Sequence, residues 1–170
     1  FMDAHTVEIQ TGDGATKVTA ENFLIAVGTR PAANALVSID GKRIYTSDQL
    51  LSLSQLPRDL IIIGAGLIGI EYASMLALLG AKITLVDERP TLLDFVDREI
   101  VNHLKAQLTQ LGVTFKLGQS VRECKVNSSG DGVTVTLDNG ESIVGESLLY
   151  VAGQHANTDK LNLTAVGVLT

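Results

Sequence analysis

Leu60-Ile61-Ile62-Ile63-Gly64-Ala65-Gly66-Leu67-Ile68-Gly69 joins a continuous apolar run to glycines in the spacing G-x-G-x-x-G and leads into residues with helical periodicity. The run of Leu and β-branched Ile predicts a strand buried on both faces. In such a strand-turn-helix each glycine has its own task. Gly64 permits a tight turn, Gly66 lets backbone approach a pyrophosphate, and Gly69 lets the helix pack closely on the strand. The start of the helix offers unpaired N–H groups and a partial positive charge to an anion. Glycine-rich turns are common, so the pattern alone is weak. Here a strand precedes it, a helix follows it, and an acid, Asp87, ends the next strand, which is the context that makes Gly64, Ala65, Gly66, Leu67, Ile68 and Gly69 candidates for holding a nicotinamide dinucleotide. A glycine turn without a ligand is the competing reading.

Downstream, Leu67, Ile68, Ala73, Met75, Leu76 and Leu79 predict a core helix closed by Gly80. Lys82–Asp87 reads as a second strand. Asp97 is placed to cap a second helix, in which Ile100, Val101, Leu104, Leu108 and Leu111 recur at helical spacing before Gly112. Val113–Leu117 is a third strand, and right-handed crossovers put all three strands in one parallel sheet. Ser120–Val126, Val133–Leu137 and about Glu141–Val144 are then short strands separated by turn chemistry, with Asp138-Asn139-Gly140 the strongest hairpin signal. Leu148–Ala152 returns as a final strand. The fold class is α/β: a Rossmann-like parallel sheet with an inserted three-stranded antiparallel meander.

Upstream, Thr6–Gln10 and Thr16–Ala20 flank Gly12-Asp13-Gly14 and predict a hairpin. Phe23–Gly28 is nearly all apolar and reads as a strand buried on both faces. Pro31 to Pro57 has no periodicity and is expected to be a surface connector. Both chain ends read as cuts through continuing sequence.

Composition narrows the function classes. The chain has 170 residues, 45% of them hydrophobic, and a net charge of -6. Its thirteen Lys and Arg are scattered, which argues against nucleic acid as a partner. The longest apolar run, Leu60–Ile70, is broken by glycines and falls well short of the roughly 20 residues of a membrane span. Without a secretory signal pattern at Phe1-Met2-Asp3-Ala4, a cytoplasmic location is expected. The single cysteine, Cys124, excludes an internal disulfide or a thiolate metal cluster. Redox chemistry would therefore need a bound cofactor. Cys124 reads as a packing residue, His5 and His103 as solvated, and His155 as structural.

At the second strand end, Asp87 is suited to accept hydrogen bonds from ribose hydroxyls, and Glu88 beside it would repel a 2'-phosphate, favouring NAD. Arg89 opposes this, since a guanidinium pairs with a 2'-phosphate. The residues thus permit a site for both NAD and NADP. A solvated Glu88–Arg89 surface pair is the plainer alternative.

Taken together, Ile25-Ala26-Val27-Gly28-Thr29-Arg30-Pro31, Gly64–Glu71 and Leu149-Tyr150-Val151-Ala152-Gly153 resemble the pyridine nucleotide-disulfide oxidoreductase family over nearly the whole chain. The resemblance implies an FAD-binding domain interrupted by an NAD(P)-binding domain. Residues 1–31 would be a segment of the FAD domain, 32–54 a connector, 55–153 the NAD(P) domain, and 154–170 a return toward the FAD domain. It places Glu71 near nicotinamide and flavin, Val121 against adenine, and Gly153 beside the dinucleotide, with FAD held by parts of the protein outside these residues. The full-length protein would be a homodimer.

Within the family, Ser47-Asp48, Glu71–Ser74, Leu93–Ile100 and Asn157–Leu163 are most similar to the soluble transhydrogenases, which pass hydride from NADPH through FAD to NAD; dihydrolipoyl dehydrogenase is the close second. Gln154 departs from the family pattern, which has Arg after the glycine. A non-catalytic dinucleotide-binding module is the reading from another class. No residue of this stretch is assigned as catalytic or metal-binding.

Overall fold

The computed structural model describes residues 1–32 and 34–169; Ala33, in the expected connector, and Thr170, at the end of the return segment, lie outside the described residues. In chain order, the strands are β1 (Thr6–Thr11), β2 (Gly14–Thr19), β3 (Thr29–Pro31) and β4 (Ile44–Tyr45), followed by helix α1 (Ser47–Leu50). Then come β5 (Asp59–Ile63), α2 (Leu67–Leu78), β6 (Lys82–Asp87), α3 (Arg98–Gln110) and β7 (Thr114–Leu117). The last strands are β8 (Val121–Val126), β9 (Val133–Leu137), β10 (Ser142–Gly145), β11 (Ser147–Tyr150) and β12 (Gln154–Ala156). Two compact units result: Phe1–Arg30 with Gln154–Thr170, and Pro31–Gly153.

The larger unit is built on a five-stranded sheet in the order β4-β11-β5-β6-β7, with every pair parallel. Alternation along each strand sorts side chains to two faces. From β5, Leu60 and Ile62 join Ile83 and Leu85 of β6 beneath α2 and α3, while Ile61 and Ile63 turn to the other side. There they meet Val133, Val135, Leu137 and Ile143 of the antiparallel meander β10-β9-β8. Helices, parallel sheet and meander thus form three layers around two apolar cores. The strands expected from Lys82, Val113 and Val133 onward, the meander and the final strand are all present.

Several expectations need correction. The stretch read as an aperiodic connector carries β4, whose Ile44 pairs with Leu148 at the sheet edge, and the short helix α1. Two residues are too few to show a period. In α2, the small residues Gly69, Ala73 and Ala77, together with Ile70, form the buried face. Leu67, Met75 and Leu79 stand 59%, 49% and 70% exposed. Glycine and alanine at i, i+4 and i+8 bring the helix axis close to the sheet, so the long side chains flank the contact instead of filling it. In α3, similarly, Val101 and Leu108 are buried and Leu104 is half-buried, whereas Ile100 and Leu111 face outward.

The smaller unit contains the β1–β2 hairpin, paired from Thr6↔Thr19 to Thr11↔Gly14, and the two-stranded β3–β12 ribbon. Phe23–Gly28, expected as a doubly buried strand, belongs to no strand, and Leu24 is 94% exposed. A doubly buried strand needs a neighbour along each edge and a layer on each face. The described residues of this unit supply neither. No helix of the described residues is long and apolar enough to cross a membrane.

Candidate functional site

A cleft of about 740 Å3 opens over the carboxyl ends of β5, β6 and β11, where open α/β sheets bind their ligands. Of the residues singled out in the sequence, Gly64, Gly66, Asp87, Glu88, Arg89, Val121 and Gly153 line it. The others are placed differently. Ala65 is buried in the turn, Gly69 lies on the buried face of α2, and Leu67, Ile68 and Glu71 lie on the helix outside the lining, with Glu71 exposed.

The fingerprint glycines divide sharply by what a side chain would meet. Gly64 has φ +111°, a left-handed value, and an added Cβ would lie 2.6 Å from the Val151 carbonyl. At Gly69 an added Cβ would lie 1.8 Å from the Gly64 oxygen. Those two glycines are required by the protein's own packing. Gly66 is different: it has φ -75°, and its nearest neighbour, Arg89 Nη2, would be 3.9 Å from a Cβ. Nothing among the described residues requires glycine there, and the space beside it is the cleft. The helix begins at this point, its first backbone bond running from Ile70 N–H to the Gly66 carbonyl, so the amides before Ile70 precede the intrahelical ladder.

Asp87 is the most heavily bonded group in the site. It is 7% exposed. Its Oδ2 accepts the Ala65 N–H at 2.6 Å and Arg89 Nη2 at 2.8 Å, and its Oδ1 accepts Arg89 N–H at 2.8 Å and Nε at 2.9 Å. Burial alone would raise the carboxyl's pKa, but the Arg89 side-chain bonds and the two backbone N–H groups outweigh it and hold the group below the ordinary carboxylate value. A carboxylate depressed in the folded state contributes stability that is complete above the unfolded value and is lost as pH falls through the folded one. Asp87→Asn is accordingly expected to lower the unfolding temperature near neutrality and to flatten its decline in acid. Thermal melts across the acid range check this; an acid limb parallel to wild type would remove Asp87 from the account. The pairing of Arg89 with Asp87 also corrects the plainer surface reading, because no Glu88–Arg89 ion pair occurs among the described residues.

Several lining residues escaped the sequence reading. Asn34 and Leu36, from the expected connector, form one wall, and Asn34 Nδ2 donates to the Tyr150 hydroxyl at 3.2 Å. Gln119 lies beyond β7; its N–H donates to the Asp87 carbonyl at 3.1 Å, while its buried Oε1 has no donor among the described residues. A Gly-Gln pair after a strand carries no signal that would mark it. Cys124 packs against the meander core, and burial pushes its thiol up to about 11, as suits a packing residue.

The pyridine nucleotide-disulphide oxidoreductase family profile matches residues 1–170. Soluble pyridine nucleotide transhydrogenase of Mycobacterium tuberculosis is 44% identical over 170 residues, and the enzyme of that name from Vibrio vulnificus is 43% identical over 169. Each comparison covers 99% of this chain and 36% of the relative, so the chain spans little more than a third of these relatives' length. Among solved structures, LpdA from M. tuberculosis aligns with a TM-score of 0.85 at 29% identity, covering 97% of this chain and 36% of that one. The HOCl-induced flavoprotein disulfide reductase RclA from Escherichia coli aligns at 0.81 and 26%, covering 100% and 38%. On the match along its whole length, the chain belongs to the pyridine nucleotide-disulphide oxidoreductase family.

Proposed function

We propose that the cleft binds NAD(H) or NADP(H), and that this chain is the nucleotide-binding part of an FAD-dependent oxidoreductase of the soluble transhydrogenase type. The observation that carries the first half is Gly66: its neighbours leave room for a side chain, its backbone angle suits any residue, and it stands open to the cleft at the start of a helix. A pyrophosphate against that backbone explains the glycine. The amides before Ile70 would hold the phosphates, Asp87 and Arg89 would meet the adenosine ribose, and Val121 would flank the adenine. Gly153 would lie beside the dinucleotide. We assign Glu71, exposed on α2, to the nicotinamide–flavin side. The chain's residues bind and orient; the hydride chemistry is supplied by the nicotinamide and the flavin. Residues 1–31 and 154–170 are assigned to the FAD domain and 55–153 to the nucleotide domain, with 32–54 between them.

The second half rests on the 44% identity to transhydrogenases, against 26–29% to LpdA and the RclA reductase. The test is to give the whole protein NADPH with thio-NAD+ and no disulfide, following thio-NADH absorbance. Sustained reduction is expected. Turnover only with a disulfide substrate would make it a disulfide reductase, and nucleotide binding with neither reaction would leave a binding module.

A further inference from the structure

We propose that Arg89 is a selective latch on the acid that would meet the nucleotide's ribose, one that nucleotides with a free 2'-hydroxyl must open and nucleotides with a 2'-phosphate need not. The inference rests on the reading of the cleft as a dinucleotide site and concerns how that site chooses.

A carboxylate has about four lone-pair positions. In Asp87 all four are taken by N–H groups of the protein: two from the Arg89 side chain, one from the Arg89 backbone and one from Ala65. The acid at the end of β6 is therefore not waiting for a diol. A ribose with both hydroxyls free gains its bonds to Asp87 only by displacing the guanidinium, giving up two charge-assisted hydrogen bonds in a fork geometry. The arginine also lies where it would obstruct. Its Nη2 sits 3.9 Å from the position of a Cβ on Gly66, across the glycine that faces the cleft.

For a 2'-phosphate the balance differs. Arg89 bonds Asp87 through Nε and Nη2, and among the described residues its Nη1 has no acceptor. The side chain is 43% exposed although its partner is buried, so its free edge is accessible. One guanidinium has enough N–H groups to keep the Asp87 bonds and receive a phosphate oxygen as well. Asp87 and Arg89 are thus first partners of each other, and the same pair that would exact a penalty from NAD presents a ready donor to NADP. Glu88, exposed on the same rim, makes no ion pair with Arg89 and does not release it.

A simple surface-charge role and a latch predict opposite signs for NAD. If Arg89 only attracts anionic nucleotides, removing it weakens both. If it occupies Asp87, removing it frees the acid and strengthens NAD. In the whole protein, calorimetric titration with NAD+ and NADP+, neither of which reduces a flavin, reads the difference directly. Arg89→Ala is expected to tighten NAD+ by about fivefold, the scale of a partly exposed ion pair, and to weaken NADP+ by about tenfold through loss of a charged hydrogen bond.

Arg89→Lys keeps a cation beside the buried carboxylate should the alanine variant unfold, but it loses the fork. NAD+ should tighten in that variant too, by a smaller factor. NAD+ binding that is unchanged or weaker in the folded variants overturns the latch. Failure of both nucleotides to bind the wild-type protein would instead overturn the reading of the cleft.

Discussion

Replacing Gly66 with valine is expected to reduce dinucleotide affinity by at least about a hundredfold while costing no more than about 1 kcal/mol of stability. The two halves of this expectation come from the same geometry. Gly66 caps α2 with extended backbone, φ -75° and ψ -171°, a conformation valine adopts without strain. Among the described residues a Cβ there meets only the flexible end of Arg89, at 3.9 Å. The chain itself therefore tolerates the substitution, losing only the modest preference for glycine over valine at a helix cap. A ligand would not tolerate it, because the branched side chain fills the space through which a pyrophosphate reaches the backbone. Calorimetric titration with NAD+ and chemical denaturation, run on the same two proteins, read the two quantities. Binding retained within about threefold in a normally folded variant would take the fingerprint out of the site and remove the main support for the proposed function.

Gly69→Ala, by far the smaller chemical change, is expected to be much more damaging to the fold. Its methyl would sit 1.8 Å from the Gly64 oxygen and 3.4 Å from a Val151 methyl. The first is backbone on the strand-to-helix turn and cannot swing aside as a side chain would, so α2 must lift from the sheet or the turn must open. Either movement uncovers Ala73 and Ala77, which are packed into the core. A loss of about 3 kcal/mol or more is expected, a large share of the roughly 5–15 kcal/mol that holds an ordinary domain together. The readout is the denaturant midpoint in urea. A variant as stable as wild type would mean that α2 does not approach β5 as closely as described.

The sequence was most readable where local periodicity and long-range packing agree. The alternating and continuous apolar runs of β5, β6 and β9 identified strands because those residues are buried in the pattern their spacing requires. Asp97 was readable as a cap because capping is a local bond: its side chain accepts from the N–H groups of Glu99 and Ile100. Phe23–Gly28 misled because apolarity reports a tendency to be covered and says nothing of what does the covering. β4 was invisible, since Ile44 and Tyr45 are a strand only through β11, far along the chain. The site shows the same division. Gly64, Gly66 and Asp87 announce themselves through spacing. That Asp87 and Arg89 satisfy each other depends on side-chain directions at a strand end, which spacing does not encode, and Asn34, Leu36 and Gln119 reach the cleft from loops whose sequences resemble many others.

The strand order β4-β11-β5-β6-β7 has a consequence for how the protein is made. On the ribosome, β5, β6 and β7 emerge one after another and each meets its neighbour soon after synthesis. β4 emerges before all of them yet has no strand to pair with until β11 follows. The glycine turn after β5 waits on the same event, because Gly64 is wedged against the backbone of Val151 and Ala152. A nascent chain stalled after β7 would already hold the whole glycine fingerprint and the acid after β6, but it would lack the strand against which that turn is shaped. Closure of the sheet by one late strand therefore puts completion of that turn near the end of the domain's synthesis, and, on the proposed function, arrest points placed before and after residues 147–151 are expected to separate chains without NAD+ affinity from chains that have it.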